Sequence, residues 1–145
     1  MIGEKSSTFA NNLLKLIFNN AAIAGLGDTA GLQPSAAAGN LYVSLHLSDP
    51  TAAGNQSTNE VSYTGYARVA AARGSFVVTG NSVSPASPVV FGIMTAGTGG
   101  AVTFFGVGTA ASGSGQLLYT GPISPSIICA NGSTPQLAPL NVTEN

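Results

Sequence analysis

Charge is what this chain has least of. Lys5, Lys15, Arg68 and Arg73 stand against Glu4, Asp28, Asp49, Glu60 and Glu144, so 6% of 145 residues are charged and the net is −1. A globular domain ordinarily devotes about a quarter of its residues to charge. Four cations cannot form the electropositive footprint that phosphate recognition requires, so no nucleic-acid partner is expected. Tryptophan is absent, and there is one cysteine and one histidine. Cys129 has no second cysteine to bond, which fits synthesis in a reducing cytosol, and it reads as a small buried hydrophobe beside Ile127 and Ile128. His46 has no second imidazole, and a metal site needs three or four ligands. No metal or cofactor is therefore expected, and His46 reads as a solvated or interface side chain. No uninterrupted apolar run approaches the ~20 residues of a spanning helix, so no membrane partner is expected.

What is present is apolar residues at 44%, 19 glycines, and polarity supplied by Ser, Thr and Asn. Disorder through charge is excluded, because the net charge is near zero and β-formers abound. A nearly uncharged surface suits a protein that ends up permanently assembled.

The segment Asn40–Arg73 organises the rest. Leu41, Val43, Leu45 and Leu47 alternate with Tyr42, Ser44, His46 and Ser48, the period of a strand with one buried face. Pro50 ends that strand near Asp49. A polar loop over 51–59 leads to a second strand over 61–71, with Val61, Tyr63, Ala67, Val69 and Ala71 inward and Tyr66 and Arg68 outward. Gly65 marks a bulge or bend. Upstream, apolar residues at Phe9, Leu13, Leu16, Ile17, Ala21 and Ala24 predict an amphipathic helix over 7–26, capped by Ser6 or Ser7 and stopped by Gly25 or Gly27. Downstream, short strands over 75–79, 88–94, 101–107, 116–120, 126–130 and 136–142 bring the total to about eight, the pattern of an antiparallel β-sandwich or jelly roll. The expected division is a helix and linker over 1–39 and a β-sandwich over 40–145, forming a single structural unit.

The residues that bear chemistry do not assemble into a catalytic set. Asp49 reads as the cap of a turn before Pro50, and Glu60 as the partner of Arg68 or Arg73. A Ser-His-Asp set has no nucleophile-elbow pattern behind it. The glycine clusters at 97–100, 106–108 and 113–115 lack the helix and lysine of a phosphate loop, and read as turns. A non-enzyme is expected.

The runs LYVSLHLSDP (Leu41–Pro50), GNQSTNE (Gly54–Glu60), YTGYARVAAAR (Tyr63–Arg73) and FFGVGTAASGSGQLLYTGPI (Phe104–Ile123) resemble a family of small accessory virion proteins of tailed bacteriophages. Members are often labelled tail-fibre-like, and others are similar to cement or decoration proteins of the capsid. The resemblance spans roughly residues 40–139 and brings no catalytic residues with it. It implies a virion subunit made in a bacterial cytoplasm, with the major capsid protein as partner in a cement role; a tail- or fibre-associated role is the alternative. So small a subunit is expected to self-associate, most simply as a dimer. The candidate interface residues are Leu14 and Phe18, which lie off the helix stripe and need a partner of their own, with Tyr42, His46, Tyr66 and Arg68 on the outer strand face. A saccharide-stacking platform of Tyr42, Tyr63 and Tyr66 is a lesser reading, because Tyr63 is assigned inward.

Overall fold

In the computed structural model, which describes residues 3–51 and 54–145, one helix precedes nine strands. These are α1 (Ser7–Asn19), β1 (Asn40–His46), β2 (Val69–Ala72), β3 (Phe76–Thr79), β4 (Ser82–Pro85), β5 (Val89–Val90), β6 (Gly100–Gly108), β7 (Leu117–Cys129), β8 (Gln136–Leu137) and β9 (Val142–Thr143). The described ladders are antiparallel, and the class is the expected one: all-β, of the β-sandwich kind, with one N-terminal helix. The chain forms two compact units, each discontinuous in sequence. One is Met1–Asn40 with Ala72–Ala86 and Pro139–Asn145; the other is Leu41–Ala71 with Ser87–Ala138. Residues Ala52 and Ala53 of the polar loop lie outside the described residues.

The first unit is built on α1 and the sheet β3-β4-β9. Ser6 caps α1 by accepting from Phe9 N–H at 3.2 Å. The helix stops at Asn19, well short of the expected 26, because Asn20 turns left-handed at φ 55° and neighbouring groups take over its end. Asn19 donates to Phe76 O at 2.8 Å. The Arg73 guanidinium donates to Ile17 O at 2.6 Å and to Leu16 O, which satisfies carbonyls orphaned in the last turn and places a cation at the negative end of the helix dipole. The buried face of α1 is Ala10, Leu14 and Phe18, one residue displaced from the Leu13–Ile17 stripe. Phe18 sets that face through an edge-to-face contact with Phe76, ring centroids 4.9 Å apart. Leu14 and Phe18 thus find their partners within the chain. Their expected place at an interface is corrected: both are 0% exposed.

The second unit holds the sheet β2-β1-β6-β7 and the pair β5-β8. The organising partner of β1 is β6, with Leu45 opposite Phe105 and His46 opposite Phe104. The expected strand over 61–71 forms only from Val69 onward. At Gly65 the chain reaches φ 101° and passes so close to a neighbouring segment that a Cβ there would sit 2.1 Å from Ile93 O, so 61–68 runs as an irregular crossing segment. The expected strands over 116–120 and 126–130 are one strand, β7, at the edge of its sheet, where Pro122 and Pro125 cost no interior ladder bond. The strand over 136–142 divides into β8 and β9, which join different sheets. Strand β4 was not anticipated. Alternation on β1 holds for Leu41, Val43 and Leu45, all buried, and fails at Leu47, 41% exposed just past the strand's end. Val69 is only half-buried, and Cys129 is buried as expected.

Candidate functional site

The sequence places Ser44 and His46 on the outer face of β1, but both are 0% exposed. Leu41, Val43 and Leu45 on one face of β1 and Ser44 and His46 on the other are all buried, and the room for the two polar side chains comes from β6. A Cβ at Gly106 would lie 2.6 Å from Ser44 Oγ and 2.7 Å from His46 Nε2. Gly106 and Gly108 are therefore positions of close approach inside a strand, not the turn expected from the 106–108 cluster. His46 Nδ1 lies 2.8 Å from Thr58 O. A carbonyl only accepts, so Nδ1 carries the proton and Nε2 accepts from the Ser44 hydroxyl at 2.8 Å. Burial lowers the imidazole pKa from 6.5; the Thr58 carbonyl and the Glu60 charge oppose that, and Arg68 adds to it. His46 is a neutral internal tie, and the solvated or interface reading is corrected.

One residue beyond Asn59 the ladder hands over to a charged cluster. Glu60 Oε1 accepts from the Tyr66 hydroxyl and from Arg68 Nε, each at 2.7 Å. Glu60 Oε2 accepts from Arg68 Nη2, also at 2.7 Å. The guanidinium and carboxylate meet as a planar fork, the geometry that gives this pair its strength. Arg68 also donates to Ala110 O at 3.0 Å and Gly113 O at 2.7 Å, so it holds the loop that joins β6 to β7. Gln56, 0% exposed, holds the same loop from within: its Oε1 accepts from Ala110 N–H at 2.9 Å, and its amide donates to Tyr42 O at 3.2 Å. The Tyr66 hydroxyl accepts from Leu45 N–H at 3.1 Å. Burial raises the Tyr66 pKa far above its ordinary value, and the hydrogen bond to Glu60 raises that of Arg68 despite burial.

Glu60, Tyr66 and Arg68 line a cleft of about 330 Å³ between the 60–68 segment and the β6–β7 loop, together with Ser62 and Ser112. Of the outer-face candidates, Tyr66 and Arg68 come together here. Arg68 is inward and only 9% exposed, while Tyr42 is half-buried and enters through its carbonyl. Tyr63 is buried, donates to Gly92 O at 2.8 Å and packs edge-on against Tyr66, so the three tyrosines form no exposed platform. Burial pushes its phenol up to about 12. Gln56 and the Ser44–His46 pair are what sequence reasoning missed. The available signal is a Glu and two Arg in a chain with few charges; of the two partners expected for Glu60, Arg68 or Arg73, the structure selects Arg68. Asp49 caps its turn, accepting from Thr51 N–H at 2.9 Å.

Among the described residues, no group of three or more His, Cys, Asp or Glu is placed to hold a metal ion, and no helix is long and apolar enough to cross a membrane. Residues 4–144 match a protein family described as podophage GP4 fiber I protein gp80. No curated protein matches the chain.

Proposed function

The chain belongs to the podophage GP4 fiber I protein gp80 family and is a structural protein of the phage virion; from that membership we propose that it is a non-enzymatic, fibre-associated subunit of the tail. The single observation that carries the reading is the family match across nearly the whole chain. The word fibre in the family's description favours the tail alternative over the capsid decoration expected first. The internal use of charge supports a protein that works by binding. Lys5 pairs with Glu144 and Arg68 with Glu60, both at 2.7 Å, and Arg73 is spent on helix carbonyls, so few charges remain for a partner. Attachment then rests on neutral polar and apolar surface, multiplied by self-association.

The experiment is to locate the subunit in purified particles by labelling a tagged chain. Label at the tail fibres is expected. Label spread over the head would overturn the fibre reading in favour of capsid decoration, with the major capsid protein as its partner.

A further inference from the structure

One turn of the second unit carries a covalent chemistry that assembly does not use. Asparagine is among the thermolabile side chains, because the backbone nitrogen of the next residue can attack its amide. A glycine at that next position puts no side chain in the way. Asn131–Gly132 is the one Asn-Gly pair in the chain, and both residues are exposed. The pair lies in the turn that follows β7, and that turn is fastened to the segment at Met94. The Asn131 amide faces two carbonyls, which only accept, so its nitrogen is assigned to them. It donates to Thr95 O at 2.9 Å and to Met94 O at 3.3 Å. Gly132 N–H donates to Met94 O at 2.8 Å, and Met94 N–H donates to Ser133 O at 2.9 Å. The turn is also closed on itself: Ala130 N–H donates to Ser133 Oγ at 2.9 Å, and that hydroxyl donates to Ala130 O at 2.7 Å.

Those contacts decide when the pair can react. Cyclisation needs the Gly132 nitrogen to lose its proton and reach Asn131 Cγ. In the closed turn that N–H is held by Met94 O, and the amide it would attack is held by Thr95 O and Met94 O. Both reactants are withheld, so reaction proceeds from the opened turn. There the Gly132 N–Cγ bond forms, the Cγ–Nδ2 bond breaks, and the Gly132 proton leaves with that nitrogen as ammonia. Water then opens the succinimide at either carbonyl, giving aspartate or isoaspartate. Neither product refits. Aspartate sets an acceptor-only carboxylate against the two carbonyl oxygens that Nδ2 had bonded. Isoaspartate lengthens the main chain by a methylene and shifts Gly132 N–H off Met94 O. Met94 and Cys129, which the turn joins, are both buried. We propose that Asn131–Gly132 is a spontaneous deamidation site which the closed 130–133 turn protects, and that deamidation latches this turn open beside Met94 and Cys129. The change runs one way, and it adds a negative charge to a chain whose net is −1.

The test incubates the full-length chain at neutral pH, in native buffer and in urea, and follows Asn131 by peptide mass mapping. Conversion is expected in both, and at least about tenfold faster in urea, where the turn is open throughout. A thiol reagent reads the latch, because Cys129 is the chain's one cysteine. Deamidated chain, separated from its parent by the added charge, should react with that reagent at least about tenfold faster than the parent does. Asn131→Asp should reproduce the faster reaction. No conversion in urea overturns the site, and equal rates in buffer and urea overturn the protection. A deamidated chain whose Cys129 stays as unreactive as the parent's overturns the latch. The two conversion rates are read on the parent chain, so they decide the matter even where the variant fails to fold. None of these outcomes bears on where in the virion the chain sits, and the fibre reading stands or falls by the labelling experiment alone.

Discussion

At the scale of single residues the second unit depends on polar groups that have no slack. His46 is neutral and fully satisfied between Ser44 and Thr58. Its folded pKa is below the ordinary 6.5, so around that pH the unfolded chain binds the extra proton more readily, and stability is present above about pH 6.5 and lost as pH falls below it. The melting temperature should drop between about pH 7 and pH 5, and His46→Gln should flatten that slope. A parent and variant with parallel slopes would show that another group titrates. Glu60→Ala leaves a buried guanidinium facing two carbonyls, and should cost about 3 kcal/mol in denaturant unfolding. Replacing Glu60 and Arg68 together should cost less than the sum of the two single changes, because the pair is one interaction.

At the scale of elements, β1 shows why burial follows position in a sheet more than alternation alone. Leu45→Ala should cost about 2–5 kcal/mol, whereas Leu47→Ala, two residues on and past the strand's end, should cost less than about 0.5 kcal/mol. Equal losses would refute the assigned end of β1. Gly106→Ala forces a methyl against Ser44 and His46 and should destabilise by about 1–3 kcal/mol, read by the same unfolding curves. The glycine was visible in the sequence, but its reason was not, since the side chains it makes room for lie on a strand sixty residues earlier. The same limit applies to α1. Its amphipathic spacing was legible, yet the face it buries was chosen by Phe76, and its end by Arg73 and Asn20, all outside the helical repeat.

At the scale of the whole molecule, the helix changes role. Removing residues 1–26 would strip Ala10, Leu14, Phe18 and Ile23 from the core of the first unit, so amide exchange throughout 72–86 and 139–145 should lose its protection. A truncated chain that keeps that protection would contradict the packing of α1. Attachment to the particle should survive about 1 M NaCl, where exposed charge pairs are screened; release by salt alone would show that charge holds the subunit after all. What the sequence determined by itself was the chemistry: near-neutrality, an antiparallel β class with one helix, a Glu60–Arg pairing, and a virion family legible in four short runs. These follow from composition, period and local motif, which need no partner in space. What only the tertiary structure decided was which faces close. Burial of Ser44 and His46, the grip of Gln56 and Arg68 on a distant loop, and the splitting of strands at Gly65 and after Leu137 all depend on segments that meet far apart in the chain, and a one-dimensional pattern carries no record of what it will be packed against.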